Sequence, residues 1–313
     1  MAFVLMSKLM AMLLLVVVGY VTVKLHVLET RDSVVLSRLT VYILQPCLIF
    51  RSFQIEITPE RMNGFLSALL LGFTVYIIWI LILSVLKRPL KLDPVDQCTL
   101  IYSNVGNLAL PLISMILGDE YVFYASALQV PFNLFIWTHG VSIISGEKHL
   151  HFRKIFLNPK IIALAAGLVF CAFQIRIPDV PDTAIKSLSD MVGPTTMLVI
   201  GMVIAGQDLR RAFTDKRAYL ICIGRLLVMP VSVLLMIALG GIPARYGQLL
   251  PIFQVCFIAL CTPSASTVSQ LAVMYDQKAY EAGVYSVLTM AFCTLTMPFM
   301  LAVFQLLFAG NMG

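Results

Sequence analysis

Two short polar stretches, Ser103–Pro111 (SNVGNLALP) and Cys261–Thr267 (CTPSAST), interrupt two otherwise apolar segments of this chain. Each contains a proline among side chains that form hydrogen bonds, and the first also contains a glycine. In a segment that crosses lipid, such residues are tolerated only where neighbouring protein or a water-filled cavity receives the freed backbone groups. Paired breaks in corresponding segments of two halves therefore indicate a transport site.

The composition identifies the chain as a polytopic membrane protein. Of its 313 residues, 60% are hydrophobic and 12% are charged, whereas soluble domains carry about 25% charged residues. The first apolar run, Phe3–Leu25, is longer than the ~7 to 15 residues of a signal-peptide core. Tyr20, Thr22 and Lys24 stand where a cleavage site would need small residues. We therefore expect this run to be retained as a membrane span.

The seven cysteines are scattered through apolar runs and form no C-x-x-C pair. They are expected to be small buried side chains, so no disulfide, metal site or cofactor is predicted.

Ten apolar runs are long enough to cross about 30 Å of hydrocarbon. They predict an all-α membrane protein with spans near residues 3–25, 33–53, 63–86, 97–117, 121–145, 159–176, 184–207, 216–240, 248–274 and 279–308. With the N-terminus outside, the inner connections collect most of the lysines and arginines. The positive-inside rule therefore predicts that both termini lie outside.

The polar connection Gly146–Lys154 divides the chain into residues 1–150 and 151–313, with five predicted spans in each part. Because five is an odd number, the second set of spans has the opposite orientation in the membrane.

The prolines support this division. Pro194 follows Pro46 by 148 positions, in the second span of each half, and Pro263 follows Pro111 by 152 positions, in the fourth. The sequence thus predicts two inverted five-helix repeats, the arrangement of many secondary transporters.

Stretches from both halves resemble the auxin efflux carrier family, and the resemblance covers essentially the whole chain. They are Ser37–Phe50, Ser103-Asn104 with Leu110-Pro111-Leu112 and Gly118, Phe132-Asn133 with Trp137-Thr138 and Gly140, Asn158-Pro159, Gly193-Pro194 with Gly201 and Ala205, and Pro263 with Ala272 and Tyr275. Two departures from the plant members, a short loop after the fifth span and Val268 in place of a second proline, favour a bacterial-type protein of the inner membrane. They put an auxin substrate in doubt.

The resemblance implies a fold like that of the bile-acid sodium symporters. Spans one, two, six and seven would form a scaffold that makes a homodimer, and spans three to five and eight to ten would form a mobile transport domain. The broken fourth and ninth spans would cross inside that domain. Substrate would bind near the crossing, and the domain would slide across the bilayer in an elevator movement.

The breaks themselves predict an anionic substrate. A half-helix that begins at membrane depth presents unpaired N–H groups and about half a positive charge, which suits a carboxylate. The residues expected to bind it are Asn104, Asn107, Pro111, Asn133, Thr262, Pro263, Ser264, Ser266, Thr267 and Gln270. For the polar ones the alternative is that they only cap frayed backbone or join helices.

Three ionisable residues in the spans are candidates for coupling or for a structural role: His139, Arg225 and Asp190. His139 either relays protons or is a packing histidine. Arg225 either attracts the anion or holds a carbonyl of the broken ninth span, and we favour the structural role. Neither break contains a carboxylate, which weakens the case for sodium coupling, so proton coupling, sodium coupling and uniport stay open.

Three classes of function compete. A secondary transporter or permease for a small organic anion explains the paired breaks; a sodium-coupled symporter of the bile-acid type is its closest variant. An intramembrane enzyme would need a nucleophile with a base, paired acids or metal ligands at depth, and no such motif lies within a span. A receptor would need an output domain, and a channel would not need inverted repeats. We expect the bilayer and the anion as partners, and no nucleic acid.

Overall fold

The computed structural model describes residues 2–56, 58–146, 157–206, 214–240 and 247–308. The regular structure of these residues is helical, and their one β-type pairing is an isolated bridge between Ser103 and Ser264. The predicted division between residues 150 and 151 lies outside the described ranges.

The helices are labelled α1 to α12 in chain order. Their bounds are α1 Ala2–Lys24, α2 Asp32–Ser52, α3 Pro59–Leu86, α4 Pro94–Ile101, α5 Val105–Leu117, α6 Asp119–Ser145, α7 Pro159–Ala172, α8 Asp179–Ala205, α9 Lys216–Leu239, α10 Leu250–Leu260, α11 Ser266–Met274 and α12 Ala279–Phe308.

Six of the described helices, α2, α3, α6, α8, α9 and α12, are long and apolar enough to cross a membrane. The helices α5, α7 and α10 and the Leu14–Lys24 part of α1 are apolar but shorter. Large apolar side chains such as Leu70, Leu81, Leu295 and Leu306 are exposed on the long helices, as expected for a surface that meets lipid. The chain is therefore an integral membrane protein, and the inverted repeat of ten spans stays a prediction.

Four π-helical turns are built into the described helices, and three of them end two residues before a proline. The three are Thr40–Leu44 before Pro46, Val105–Ala109 before Pro111 and Gly224–Val228 before Pro230. Proline lacks an N–H, and its ring clashes with the carbonyl four residues earlier. A wider turn relieves that clash and lets the helix continue through the proline.

Helix α1 packs along α8 through two glycines that permit very close backbone contact. A Cβ on Gly201 would overlap the carbonyl oxygen of Val16, and a Cβ on Gly19 would overlap that of Leu198. Such contacts between small residues are a common way for helices to associate in membranes.

We expect Gly201→Ala to lower the free energy of unfolding by about 1 to 3 kcal/mol, because the added methyl group must push α1 away from α8. Thermal unfolding of the purified protein in detergent measures the loss. The control is Gly283→Ala in α12, whose Cβ would meet nothing within 4 Å. A Gly201→Ala protein with the same melting temperature as the wild type would show that the backbones of α1 and α8 do not touch.

An ion cluster joins the first turn of α4 to neighbouring segments. Asp93 and Asp96 form a capping box, Lys278 Nζ lies 2.7 Å from Asp93 Oδ2, and Arg217 contacts the fully buried Asp96. Burial alone would raise the pKa of Asp93, but the hydrogen bond from Lys278 and the nearby charges outweigh it, and the pKa is lowered. The cluster therefore fixes α4 to the start of α9 and to the turn before α12.

Candidate functional site

The two breaks lie directly against each other. Between α4 and α5, the carbonyl of Tyr102 accepts a hydrogen bond from Ala265 N at 2.8 Å, and Asn104 N donates to the carbonyl of Pro263 at 2.9 Å. Ser103 and Ser264 form the antiparallel bridge between these two bonds. Each break thus satisfies backbone groups that the other leaves unpaired, which explains why neither is stable alone at membrane depth.

Arg225 closes one side of this crossing. The side chain is fully buried and donates to carbonyl groups of the two half-helices that end at the crossing, α4 and α10. The acceptors are Leu100 O at 2.9 Å and Ile101 O at 3.5 Å at the end of α4, and Leu260 O at 2.6 Å and Thr262 O at 3.0 and 3.1 Å after α10. Arg225 thus contacts carbonyl groups of both broken spans.

A second cation lies where the half-helices α5 and α11 begin. Lys160, in the first turn of α7, is 8% exposed, and its Nζ donates to Asn107 Oδ1 at 2.8 Å. Asn107 in turn donates through Nδ2 to Ser266 Oγ at 2.8 Å. This chain of bonds joins α7 to the first turns of both α5 and α11.

Gly106 leaves room for the ammonium group. A Cβ at this position would lie 2.5 Å from Lys160 Nζ and 3.2 to 3.3 Å from the amide atoms of Gln129. Gln129 is fully buried, and its Nε2 has no hydrogen-bond partner among the described residues. Lys160 and Gln129 therefore present N–H donors to the same small volume above Gly106.

We expect Gly106→Ala to reduce transport at least tenfold while the fold persists, because the flexible Lys160 side chain can move away from the new methyl group but then no longer reaches Asn107. Uptake into proteoliposomes and the melting temperature are measured on the same preparations. Gly283→Ala again serves as the control. Unchanged uptake by Gly106→Ala would show that the position of Lys160 does not matter.

Asn133 belongs to the same polar region. Its side chain donates to the carbonyl of Gln129 at 2.8 Å and accepts from Asn158 Nδ2 at 2.8 Å. Asn158 also caps α7, through a bond from Lys160 N to its Oδ1 at 2.9 Å. The predicted residue Asn133 thus helps to place the helix end that carries Lys160.

The other predicted site residues have different surroundings. Asn104 is buried and caps the turn through Asn107 N at 3.3 Å, so its side chain is occupied by backbone. Thr262 Oγ1 donates to Ala259 O at 2.7 Å, and Ser264 N donates to Thr289 Oγ1. Pro111 and Pro263 are buried beside the breaks, Thr267 is half-buried and Gln270 is exposed.

His139 and Asp190 lie in unlike settings. His139 Nδ1 is 2.9 Å from Tyr102 Oη, and the same hydroxyl donates to the carbonyl of Phe135 at 2.9 Å. A phenol has one hydrogen, so the ring nitrogen donates to the hydroxyl when both bonds are present. Asp190 pairs with Lys186 at 2.7 Å on an exposed helix face, as a surface ion pair does.

Sequence reasoning missed Lys160. The residue follows Asn158-Pro159, a helix start, and in the sequence it is one more basic residue after those of the connection before it. Only the packing of α7 against the crossing shows that the Lys160 side chain points into the protein interior. Nothing in the spacing of this lysine distinguishes it from the lysines of the preceding connection.

An apolar cavity of about 240 Å³ lies among α1, α5, α8 and α12. Its wall includes Leu108 and Leu112 of α5, Met197 of α8 and Met290 and Met297 of α12. In the part of the chain that the structure describes, no three His, Cys, Asp or Glu side chains are grouped as a metal site requires.

Comparison with known proteins identifies a family. A family model described as membrane transport protein matches residues 4–151 and residues 147–301. Together the two matches include almost all of the chain and meet at the predicted division between its halves. No curated protein matches the chain.

Proposed function

The chain belongs to the membrane transport protein family, and from that premise we propose that it is a secondary transporter of a small organic anion. The observation that carries the proposal is the buried ammonium group of Lys160, whose acceptor in the described structure is an amide oxygen rather than a carboxylate. A buried charge is costly unless it is paired. A carboxylate ligand would provide the missing partner.

The charge of the site favours the same substrate class. The helices α5 and α11 both begin at the crossing, and each start contributes about half a positive charge. With the ammonium group the total is about two positive charges in a region that contains no Asp or Glu side chain in either break. A monocarboxylate or dicarboxylate fits this balance, and the amides of Asn107 and Gln129 can orient it.

The helix packing supports an elevator mechanism. Helix α1 packs on α8, and α2 packs on α7 and α8; α3 packs on α6, and α12 packs on α4, α9 and α11, while α2 also packs on α6. The first set corresponds to the expected scaffold and the second to the expected transport domain. The apolar cavity lies between the two sets, where loose packing permits sliding.

Three polar contacts between these sets define the position of the transport domain, and one of them is the bond from Asn158 to Asn133. Lys160 bonds to Asn107 at the end of α7 that the charge distribution places inside, and Arg51 Nη1 lies 2.6 Å from Asp119 Oδ2 at the opposite end. An outward movement of α5 and α6 would break all three contacts. The arrangement is therefore the inward position of the proposed cycle.

Crosslinking tests the movement. Met115 Sδ on α5 would lie 2.6 Å from a Cβ at Gly193 on α8, so cysteines at 115 and 193 should crosslink in the observed position. In a cysteine-free background, Met115→Cys should also crosslink to Ser189→Cys or to Met197→Cys, one helical turn away, when substrate is present. Crosslinks at position 193 alone under every condition would contradict the elevator.

A ligand screen tests the substrate class. The melting temperature of the purified protein is measured with malonate, malate, lactate and other small carboxylates, with and without sodium, because a ligand that binds the native state stabilises it. The amides of the same acids serve as neutral controls. Stabilisation by amides as strong as that by the acids would contradict an anion site.

A further inference from the structure

We propose that the guanidinium group of Arg225 is a tethered replacement for a coupling cation, and that it makes transport independent of sodium. It occupies the carbonyl cage between the ends of α4 and α10, which is where a carrier with crossed, broken helices binds its coupling ion. The inference rests on the proposed transport function. It addresses the sodium-coupled alternative, which the sequence leaves open.

The hydrogen-bond acceptors of Arg225 are backbone carbonyl oxygens at the ends of broken helices. Unwound carbonyls at the ends of broken helices are the ligands that such carriers offer to Na⁺. Here the carbonyls of Leu100, Ile101, Leu260 and Thr262 all accept from Arg225, through Nε, Nη1 and Nη2, at 2.6 to 3.5 Å. The guanidinium thus holds carbonyls from both spans, as a bound ion would.

The positive charge of Arg225 is balanced by the ends of the two helices that it contacts. Each of the half-helices α4 and α10 ends at the crossing with about half a negative charge. Together they offset the single positive charge of Arg225, which stays protonated in proteins. No carboxylate lies in either break, so no negative charge is left at the crossing to attract a further cation.

Arg225 and its carbonyl acceptors are shielded from solvent. Arg225 is fully buried, and its guanidinium lies 5.3 Å from the ring centre of the fully buried Trp79. Trp79 is itself held by a bond from Nε1 to Ser232 Oγ at 2.8 Å. The aromatic ring covers the cation and leaves no open path between the carbonyl cage and solvent on that face.

The test compares ions. Wild-type protein is assayed with sodium chloride and with N-methylglucamine chloride at equal ionic strength, both for melting temperature and for uptake of labelled malonate, malate and lactate. We expect no difference between the two salts. Sodium-dependent uptake, or stabilisation of the wild type by sodium of about 3 °C or more, would overturn the proposal.

The variant Arg225→Ala empties the cage. We expect it to melt below the wild type and to be stabilised selectively by millimolar guanidinium or sodium, with N-methylglucamine ineffective. Arg225→Lys keeps the charge but offers fewer donors, so it should melt at a lower temperature and show no response to sodium. The exposed Arg31→Ala should behave as the wild type.

The outcomes are separable. If Arg225→Ala folds and responds to neither cation, the cage does not bind cations and the proposal is wrong. If Arg225→Ala does not fold, the wild-type salt comparison and Arg225→Lys still decide. If the wild type transports none of the carboxylates in either salt, the proposed function is contradicted, while the melting experiment tests the cation site independently.

Discussion

Replacing Lys160 by methionine is expected to reduce carboxylate uptake roughly 100-fold, since truncating a buried, hydrogen-bonded charge usually costs 2 to 5 kcal/mol of ligand binding. Methionine keeps the length of the side chain and removes the charge. The variant should fold at least as well as the wild type, because an ammonium group without a carboxylate partner is itself costly to bury. Uptake into proteoliposomes and thermal melting in detergent measure the two effects.

The matched control is Lys186→Met. Lys186 is also helical and also bonded, but its partner is Asp190 and the pair is about half exposed, so its loss should change neither uptake nor stability measurably. Wild-type uptake by Lys160→Met, with an unchanged half-saturating concentration, would remove Lys160 from the site.

The second large effect is expected from Asn107→Asp, a change of nearly equal shape. The new carboxylate would lie about 2.8 Å from Lys160 Nζ, where the amide oxygen now accepts, and would form an ion pair within the site. We expect uptake to fall at least tenfold and the melting temperature to rise, because the protein would then carry its own anion. Both measurements are made on one preparation.

Asn107→Ala separates this mechanism from simple damage. It removes the bonds to Lys160 and Ser266 without supplying a charge, so uptake and melting temperature should both fall. An Asn107→Asp protein that is less stable than Asn107→Ala would show that no ion pair forms, and normal uptake by Asn107→Asp would show that the anion binds elsewhere.

Much of the helical framework could be predicted from the sequence. Apolar length located the helices, and Pro111 and Pro263 marked the two breaks because proline cannot complete the hydrogen bonding of a helix at membrane depth. The long apolar segment around Arg225 made a structural role for that charge the favoured interpretation. These features depend on residues close together in the chain.

The details of the site depend on contacts between distant residues and were not predictable. Asn104 and Asn107 are the same type of residue in the same break. Only the local turn determines that Asn104 caps the backbone while Asn107 bonds to Lys160 and Ser266. Gln270 was a reasonable candidate from its distance to Pro263, yet it is exposed. The inward direction of Lys160 results from the packing of α7, which no local pattern encodes.

Counterflow in proteoliposomes tests the central claim, that a carboxylate crosses the membrane at the site of Lys160 and Asn107. Vesicles are loaded with one unlabelled acid and diluted into trace label of the same acid, for malonate, malate, lactate and the corresponding amides in turn. We predict that the wild type accumulates at least one labelled acid and no amide, and that Asn107→Asp accumulates neither. The claim would be contradicted if the wild type accumulated amides as readily as acids. It would also be contradicted if Asn107→Asp accumulated the labelled acids as well as the wild type does.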